Sequence, residues 1–250
     1  MAKAKETAKK YKLQMASELP PMTFIPTGLG DLDKLTGGFP RSRITELYAL
    51  QGVGKTTLTL MSIAAATKAG LKTLFIDCEN GFNPIRAKEL GVDPTKLAVM
   101  PVSILEEVND VLLGEIDTFD LIIVDSVAAM VPRAEVEGEA GDANVGLKAR
   151  LMGQLIRKVN AALQKSQCAV VFINQLRESM ELYAPKFNTT GGNALRFFSS
   201  LRIELKTTAK DRLEKTVRGE KVRYGHRVTA VIIKSRVCKP YEQISFEVMY

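Results

Sequence analysis

Strand-length apolar runs alternate with helix-like segments along most of this chain, and this alternation restricts the fold more than any other feature. The runs RITELYA, KTLFID, DLIIVD and CAVVFIN are separated by helical patterns at about 54–69, 104–116 and 145–166. Uninterrupted apolar strands between helices indicate a parallel sheet covered on both faces. Three later runs, SSLRIELK, RVTAVIIKS and EQISFEVM, alternate more and favour an antiparallel extension. The sequence therefore predicts one α/β domain with a mixed, mainly parallel sheet flanked by helices.

The size and composition of the chain fit one globular domain. It has 250 residues, 46% apolar and 25% charged, with a formal charge of +7. This charge favours contact with polyanions, although part of it lies in a lysine-rich amino terminus. No apolar run reaches the roughly 18 residues that cross a bilayer, and no signal peptide is recognisable. With three cysteines that form no metal-type pair, these features predict a cytoplasmic protein without a membrane partner.

A phosphate-binding loop is predicted where the first apolar run ends, in YALQGVGKTT. Gly54, Lys55 and Thr56 fit the usual pattern, while Ala49 stands at its leading glycine position. A strand, a turn and a helix start in this order direct backbone N–H groups and the positive helix end at a polyphosphate. Gly52 supplies backbone freedom that Ala49 lacks, so we expect a working loop. The predicted nucleotide-binding residues of the loop are Gln51, Gly52, Val53, Gly54, Lys55, Thr56 and Thr57.

Three side chains complete the chemistry that such a loop needs. Thr56 supplies a hydroxyl suited to Mg²⁺, and DLIIVD delivers Asp125 from a strand end as the carboxylate expected at the same metal. Glu79 follows the strand run ending in FID, beside the expected nucleotide cleft. It is therefore a candidate to orient an attacking water, with an ordinary structural glutamate as the alternative.

Further blocks carry a resemblance to a known family. The segments VDSVAAMVPRAEVEGEAGD, FINQLR and TTGGNALRFFSSLRIEL, in this order, resemble the RecA recombinase family over about residues 23–250. The pairing of EVEGEAGD with TTGGNALRF separates this family from ring helicases and clock ATPases. The resemblance implies a RecA-like core that hydrolyses ATP with Mg²⁺ in a DNA-dependent manner. It also implies a homo-oligomeric helical filament on single-stranded DNA that exchanges strands with homologous double-stranded DNA, in DNA repair and the SOS response.

The resemblance also assigns roles to single residues. Glu79 matches the water-activating glutamate, and Gln175 matches a γ-phosphate sensor placed before the second DNA-binding loop, at about 176–190. The first DNA-binding loop corresponds to about 135–143. A Gly-Gly helix start offers open N–H groups, and Tyr183 or Phe187 fits insertion beside or between bases. The implied DNA-binding residues are Arg150, Arg177, Tyr183, Gly191, Gly192 and Asn193.

A basic pair near the end of the chain extends the catalytic set. Lys234 and Arg236, in IIKSR, match residues that in the family reach the nucleotide of the neighbouring subunit. Without the resemblance, alternating charges on an exposed strand would be the simpler interpretation. The implied catalytic residues are Glu79, Lys55, Gln175, Lys234 and Arg236.

The sequence departs from the family pattern at several points. Arg86 stands where the family has a tyrosine that stacks on adenine, and Asn83 stands where an acidic residue is usual. An arginine can stack by its guanidinium plane, so we expect Arg86 to contact the nucleotide with altered base recognition. The sequence ends at SFEVMY, before the family's C-terminal domain, which fits either a naturally minimal member or a shortened sequence. The single histidine, His226, is expected to pack or to lie at a solvated edge.

Residues 1–22 are predicted to form an oligomerisation helix and linker, which leaves 23–250 as the ATPase core with two DNA-binding loops. The Pro-Pro pair at 20–21 ends the helical pattern. In the resembling family this element packs on the adjacent subunit, while a solvated basic tail is the alternative. The apolar stripe at helical spacing consists of Ala4, Ala8, Tyr11 and Met15.

Two functions from different classes remain open at this point. The leading one is a recombinase filament with DNA-dependent ATPase activity. The alternative is a nucleotide-gated protein that coats or anneals single strands without productive strand exchange.

Overall fold

The computed structural model describes residues 15–139, 146–178, 187–217 and 220–250. The strands are β1 (Phe24–Ile25), β2 (Phe39–Pro40), β3 (Arg43–Ala49), β4 (Thr73–Asp77), β5 (Leu97–Pro101), β6 (Leu121–Asp125), β7 (Ala169–Glu178), β8 (Phe187–Thr189), β9 (Leu201–Lys206), β10 (Arg212–Val217), β11 (Glu220–Ser235) and β12 (Gln243–Met249). The helices are α1 (Gly30–Thr36), α2 (Lys55–Lys68), α3 (Pro84–Glu89), α4 (Leu105–Glu115), α5 (Arg133–Glu137), α6 (Leu147–Leu163) and α7 (Ala194–Phe198).

Ten of these strands form one mixed sheet. Its order is β10-β11-β9-β3-β7-β6-β4-β5, with β12 beside β11 and β8 beside β7. The six strands from β9 to β5 pair in parallel, while β8, β10, β11 and β12 pair in antiparallel fashion. The predicted fold class, a mixed and mainly parallel sheet flanked by helices, is confirmed.

The apolar runs fill two cores, one on each face of the sheet. Successive strand residues point to opposite faces, so Phe75 lies in one core while its neighbours Leu74 and Ile76 lie in the other. Helix α2 packs its Ile63 into the first core, and α6 packs its Ile156 into the second. Each such fully buried side chain contributes about 1.5–3 kcal/mol through loss of apolar surface to water.

One strand direction differs from the prediction. SSLRIELK was expected in the antiparallel extension, but β9 runs parallel to β3, with Leu47 opposite Ile203. Its other edge pairs with β11 in antiparallel fashion, so β9 is the strand at which the sheet changes direction. Alternation of polar and apolar residues reports which face is buried and carries no information on strand direction. Five of the described strands were not predicted, namely β1, β2, β5, β8 and β10.

The parallel strands bring their carboxyl ends to one edge of the sheet. Asp77 of β4 lies opposite Asp125 of β6, and Ala49 of β3 lies opposite Gln175 of β7. Polar residues that are far apart in sequence therefore meet where a ligand site is expected in an α/β sheet.

The predicted amino-terminal helix falls almost entirely outside the described residues. The described part of this segment contains one 3₁₀ turn, at Ala16–Glu18. The division of the chain at residue 22 stays a prediction. In the described ranges, no helix has the length and apolar character needed to span a membrane.

Candidate functional site

A cavity of about 410 Å³ opens at the carboxyl edge of the sheet. Its volume falls in the range of small-molecule sites. It is lined by Gln51, Gly52, Gly54, Lys55, Thr56, Thr57, Glu79, Arg86, Glu89, Asp125, Gln175, His226, Val248, Met249 and Tyr250. Most of the predicted nucleotide-binding residues are in this set, whereas the Val53 side chain is buried in the core beneath the loop.

The loop between β3 and α2 explains how Ala49 is tolerated. The left-handed conformations fall on Gly52, with φ +74°, and on Gly54, with φ +117°, whereas Ala49 is the last residue of a strand. A Cβ atom on Gly54 would also come within 3.0 Å of the Val248 side chain. Glycine is therefore required at positions 52 and 54, while a methyl group at position 49 meets no backbone strain.

Lys55 is the first residue of α2 and is almost fully buried. Its Nζ donates to the Leu50 carbonyl at 2.9 Å and lies 3.5 Å from the Ala49 carbonyl oxygen. Burial lowers the pKa of this ammonium, while the carboxylates of Asp125 and Glu79 act in the opposite direction. A phosphate is a stronger hydrogen-bond acceptor than a neutral carbonyl, so a bound phosphate would compete with the Leu50 carbonyl for the Lys55 ammonium.

The two groups predicted at the metal lie in direct contact. The Thr56 hydroxyl donates to Asp125 Oδ2 at 2.7 Å. Burial raises the pKa of Asp125 to about 6, with the Thr56 hydrogen bond lowering it and Glu79 raising it. A hydroxyl and a carboxylate at the start of a helix are the hard oxygen donors that suit Mg²⁺ held together with a polyphosphate. The residues present therefore fit the predicted metal.

Glu79 shares one carboxylate oxygen between two donors. Gln175 Nε2 donates to Glu79 Oε1 at 2.9 Å, and the Ser126 hydroxyl donates to the same oxygen. The predicted water-orienting group and the predicted phosphate sensor are thus in contact at the cavity wall, although they lie 96 residues apart in sequence.

Arg86 also lines the cavity. Its guanidinium donates to the Met249 carbonyl and, at 3.0 Å, to the Glu89 carboxylate. Asn83 caps α3 by accepting hydrogen bonds from the backbone N–H groups of residues 85 and 86. These two hydrogen bonds fix the orientation of the guanidinium plane, and the face of such a plane is the part that stacks on a base.

Several cavity residues were missed by the sequence analysis. His226, Val248, Met249 and Tyr250 reach the cavity because β11 and β12 pair, with His226 opposite Val248. No local motif marks these residues, since their position depends on strand pairing far from the phosphate loop. Glu89 was also missed; it follows Arg86 by one helical turn, and that spacing is the one signal for it in the sequence.

A buried polar network continues from Gln175 into the sheet. The Asn174 amide oxygen accepts from the Gln175 N–H at 2.9 Å and from the Thr190 hydroxyl at 2.6 Å. Its amide nitrogen donates to Glu46 and to the Thr190 carbonyl, both at 3.0 Å. Glu46 is fully buried and paired with Arg202. Every hydrogen-bonding group of the Asn174 side chain therefore has a partner, which holds Gln175 and Thr190 in fixed relation.

Lys234 and Arg236 do not line the cavity. Lys234 Nζ donates to the carbonyls of Arg196 and Phe197 at 3.0 and 2.8 Å, and Arg236 approaches the Phe197 carbonyl at 3.5 Å. Burial, together with Arg236 and Arg202, lowers the pKa of Lys234. The pair is thus anchored to the carboxyl end of α7, away from the cavity of its own subunit.

Most of the predicted DNA-binding residues lie at one end of α6. A Cβ on Gly192 would come within 3.0 Å of Ala149, next to the exposed Arg150, and one on Gly191 would come within 2.8 Å of Val127. Arg177 is exposed. Burial lowers the pKa of Lys148, and the nearby charge of Arg177 lowers it further. Asn193 precedes α7.

Two parts of the predicted DNA-binding surface cannot be placed. Tyr183 lies outside the described residues, as do 140–143 of the first predicted loop and 179–186 of the second. Phe187, the alternative to Tyr183, begins β8 and is partly exposed.

Comparison with known proteins gives a consistent result. The family model described as the RecA N-terminal domain matches residues 10–250. Protein RecA of Streptomyces coelicolor is 41% identical over 235 residues, which cover 92% of this chain and 61% of that protein. Protein RecA of Sulfurovum sp. is 42% identical over 239 residues, covering 93% of this chain and 67% of that protein. The chain thus spans between three fifths and two thirds of the length of these curated relatives.

Proposed function

Because this chain belongs to the RecA family, we propose that it is a DNA-dependent ATPase that forms helical filaments on single-stranded DNA. In this proposal the filament pairs its strand with homologous duplex DNA and promotes strand exchange. The observation that carries the proposal is the contact between Glu79 and Gln175 at the wall of the phosphate-loop cavity. That contact joins a hydrolytic site to the strand that leads directly into the second predicted DNA-binding loop.

The cavity residues have distinct roles in binding ATP. The N–H groups of residues 52 to 57 would contact the polyphosphate, and the positive end of α2 would favour its charge. Lys55 turns from the Leu50 carbonyl to the phosphates. Arg86 presents its guanidinium face to the base, and the altered side chain at this position changes base recognition.

Hydrolysis is assigned to the carboxylates of Glu79 and Asp125 and to the amide of Gln175. Glu79 accepts a hydrogen bond from the attacking water and orients it beside the terminal phosphate. When ATP is bound, Gln175 donates to the terminal phosphate instead of to Glu79. Thr56 and Asp125 would hold Mg²⁺, which would neutralise charge on the phosphates.

DNA binding is assigned to the end of the molecule where Arg150, Arg177 and the 191–193 junction lie together. Arginine charge attracts the phosphate backbone, and an aromatic side chain, Tyr183 or Phe187, stacks on bases. Lys234 and Arg236 face away from their own cavity and are proposed to complete the site of the next subunit. Residues 1–22 are proposed to pack on the adjacent subunit. The protein is proposed to act in the cytoplasm.

A second function is favoured by one observation. Arg86 is held by Met249 and Glu89, in place of the tyrosine expected from the family pattern. If this difference at Arg86 weakens ATP hydrolysis, the chain would act as a nucleotide-gated protein that coats or anneals single strands without productive strand exchange.

Two measurements on the purified chain separate these functions. Electron microscopy with single-stranded DNA and a slowly hydrolysed ATP analogue is expected to show helical filaments. A strand-exchange assay with ATP and homologous duplex is expected to yield exchanged product. Filaments without exchanged product would favour the annealing function, and the absence of nucleotide-dependent filaments would reject both.

A further inference from the structure

His226 makes a specific contact with the phosphate loop. It is 2% exposed, and its Nε2 lies 2.9 Å from the carbonyl oxygen of Val53. A carbonyl oxygen only accepts hydrogen bonds, so Nε2 carries the hydrogen and donates it. The other ring nitrogen, Nδ1, is buried without a partner among the residues the structure describes. A ring with hydrogen on Nε2 therefore satisfies the contact.

The contact fixes the direction of one peptide unit in the loop. The Val53 carbonyl and the Gly54 N–H belong to the same planar trans peptide and point in opposite directions. With the carbonyl held by His226, the Gly54 N–H points away from the ring. Within the described part of the chain this N–H has no hydrogen-bond partner, so it is available to a ligand.

The peptide turns over by rotation about φ of Gly54 and ψ of Val53, and Gly54 has a positive φ of +117°. Glycine resists rotation of its backbone less than other residues do, so this peptide could turn over at small cost. A turned peptide would present the Val53 oxygen where the Gly54 N–H stands. An oxygen at that point would repel a polyphosphate.

We propose that His226 is a positioning residue that holds the Val53–Gly54 peptide with its N–H directed at the bound polyphosphate. The proposal rests on the proposed function, since it takes the triphosphate of a nucleotide as the ligand. A hydrogen bond from an N–H to a charged group is worth about 1.5–3 kcal/mol, so its loss should weaken polyphosphate binding about 10- to 100-fold.

A matched pair of variants tests the contact. In His226→Gln the amide nitrogen reaches about as far as Nε2 and can donate to the Val53 carbonyl, whereas in His226→Asn it reaches only as far as Nδ1. Both place a neutral amide in the same buried position, so general effects on folding are shared. The probes are a slowly hydrolysed ATP analogue and inorganic tripolyphosphate, with binding measured by calorimetry.

The Asn variant is expected to bind both probes about 10- to 100-fold more weakly, and the Gln variant within about threefold of the unmodified chain. Equal weakening in both variants, or none in the Asn variant, would overturn the proposal. A chain that binds neither probe before any substitution would instead reject the nucleotide site itself.

A measurement on the unmodified chain removes any dependence on variant folding. The amide signal of Gly54 in ¹⁵N-edited NMR spectra is expected to move strongly when tripolyphosphate is added, because its N–H gains an anionic acceptor. A Gly54 signal that stays in place while the neighbouring loop signals move would show that the N–H faces elsewhere, and the proposal would be rejected.

Discussion

At the scale of single residues, the surroundings of Glu79 bear most directly on chemistry. One of its oxygens receives hydrogen bonds from Ser126 and Gln175. Two donors on one oxygen fix the orientation of the carboxylate. The second oxygen is not used by these donors. A carboxylate held in this way is ready to act on a water molecule at the cavity wall.

The substitution Glu79→Gln should separate binding from hydrolysis. The amide keeps the shape of the side chain but accepts a proton far less well, so ATP binding should stay near normal. DNA-stimulated phosphate release should fall about 10²- to 10⁴-fold, the usual contribution of a general base. Ser126→Ala is the matched control, because it removes one donor and leaves the carboxylate in place. Near-normal hydrolysis by the Gln variant would assign Glu79 a structural role.

The buried carboxyl of Asp125 gives a prediction for pH. Its pKa is raised to about 6 from 3.8, chiefly by burial. Between these values the folded chain binds a proton that the unfolded chain has released, so stability falls as pH rises through this window. The loss is roughly 2–3 kcal/mol, complete somewhat above pH 6. Urea unfolding at pH 4, 5, 6 and 7 measures it.

Asp125→Asn removes the titrating group and is expected to flatten this part of the pH profile. The free energy of unfolding of the variant relative to the unmodified chain should therefore rise between pH 4 and pH 7. Parallel profiles for the two proteins would show that Asp125 does not carry the raised pKa.

The sequence identified the catalytic candidates of the loop but not the residues opposite them. Gly54, Lys55 and Thr56 belong to a contiguous motif, and their positions follow from a strand, a turn and a helix start. His226 and Met249 reach the same cavity through the pairing of β11 with β12, in which His226 lies opposite Val248. Long-range pairing of this kind has no local signature, so position in the fold and not residue type reveals their role.

At the scale of secondary-structure elements, β7 links the nucleotide cavity to the second predicted DNA-binding loop. Asn174 and Gln175 are consecutive residues of this strand, so their side chains point to opposite faces. Gln175 contacts Glu79, while Asn174 binds Thr190, at the far end of the second loop. We therefore expect a movement of Gln175 to be transmitted to both ends of that loop through one strand.

Thr190→Val tests this link with little change in shape. The valine cannot donate to the Asn174 amide oxygen, which the threonine hydroxyl reaches at 2.6 Å. We expect the ATP analogue to tighten single-stranded DNA binding about fivefold less than in the unmodified chain, within the usual range for coupling residues. Thr190→Ser keeps the hydroxyl and is the control. The measurement is DNA affinity by fluorescence anisotropy with and without the analogue, and an unchanged ratio in the Val variant would contradict the link.

Element types were easier to predict than element directions. The helices at 55–68, 105–115 and 147–163 agree with their apolar spacing to within three residues. The prediction that β9 belongs to the antiparallel extension was wrong for its pairing with β3, because its residue pattern is equally compatible with pairing to β3 or to β11. The short edge strand β5 was missed because it is partly exposed and carries little apolar periodicity.

At the scale of the whole molecule, the basic pair lies outside the lining of the phosphate cavity, which agrees with the proposal of a site shared between neighbouring subunits. Lys234 on β11 and Arg236 just after it hold the carboxyl end of α7, whereas His226, earlier on β11, lines the phosphate cavity. In this proposal each subunit presents the phosphate-loop cavity, called the cradle below, at one surface and the basic pair at another. A head-to-tail contact joins two such surfaces and repeats into a filament when the rotation does not close.

The shared site predicts the behaviour of single variants. Changing both Lys234 and Arg236 to Ala should leave nucleotide binding by the isolated subunit largely intact. DNA-stimulated hydrolysis should fall on the order of 10³-fold, as expected when a cation supplied in trans is lost. Lys55→Ala should instead remove nucleotide binding, because its own cradle is defective.

Mixing the two variants gives the sharper test. A Lys55→Ala subunit still carries an intact basic pair, and a subunit changed at Lys234 and Arg236 still carries an intact cradle. In filaments assembled from equal amounts, half of the subunits keep a working cradle and half of those face an intact pair. Because each head-to-tail junction uses one surface from each neighbour, about a quarter of the unmodified ATPase activity should return. The measurement is phosphate release on single-stranded DNA, with co-assembly established by energy transfer between labels on the two variants. Co-assembled filaments without recovered activity would show that each subunit hydrolyses ATP without its neighbour.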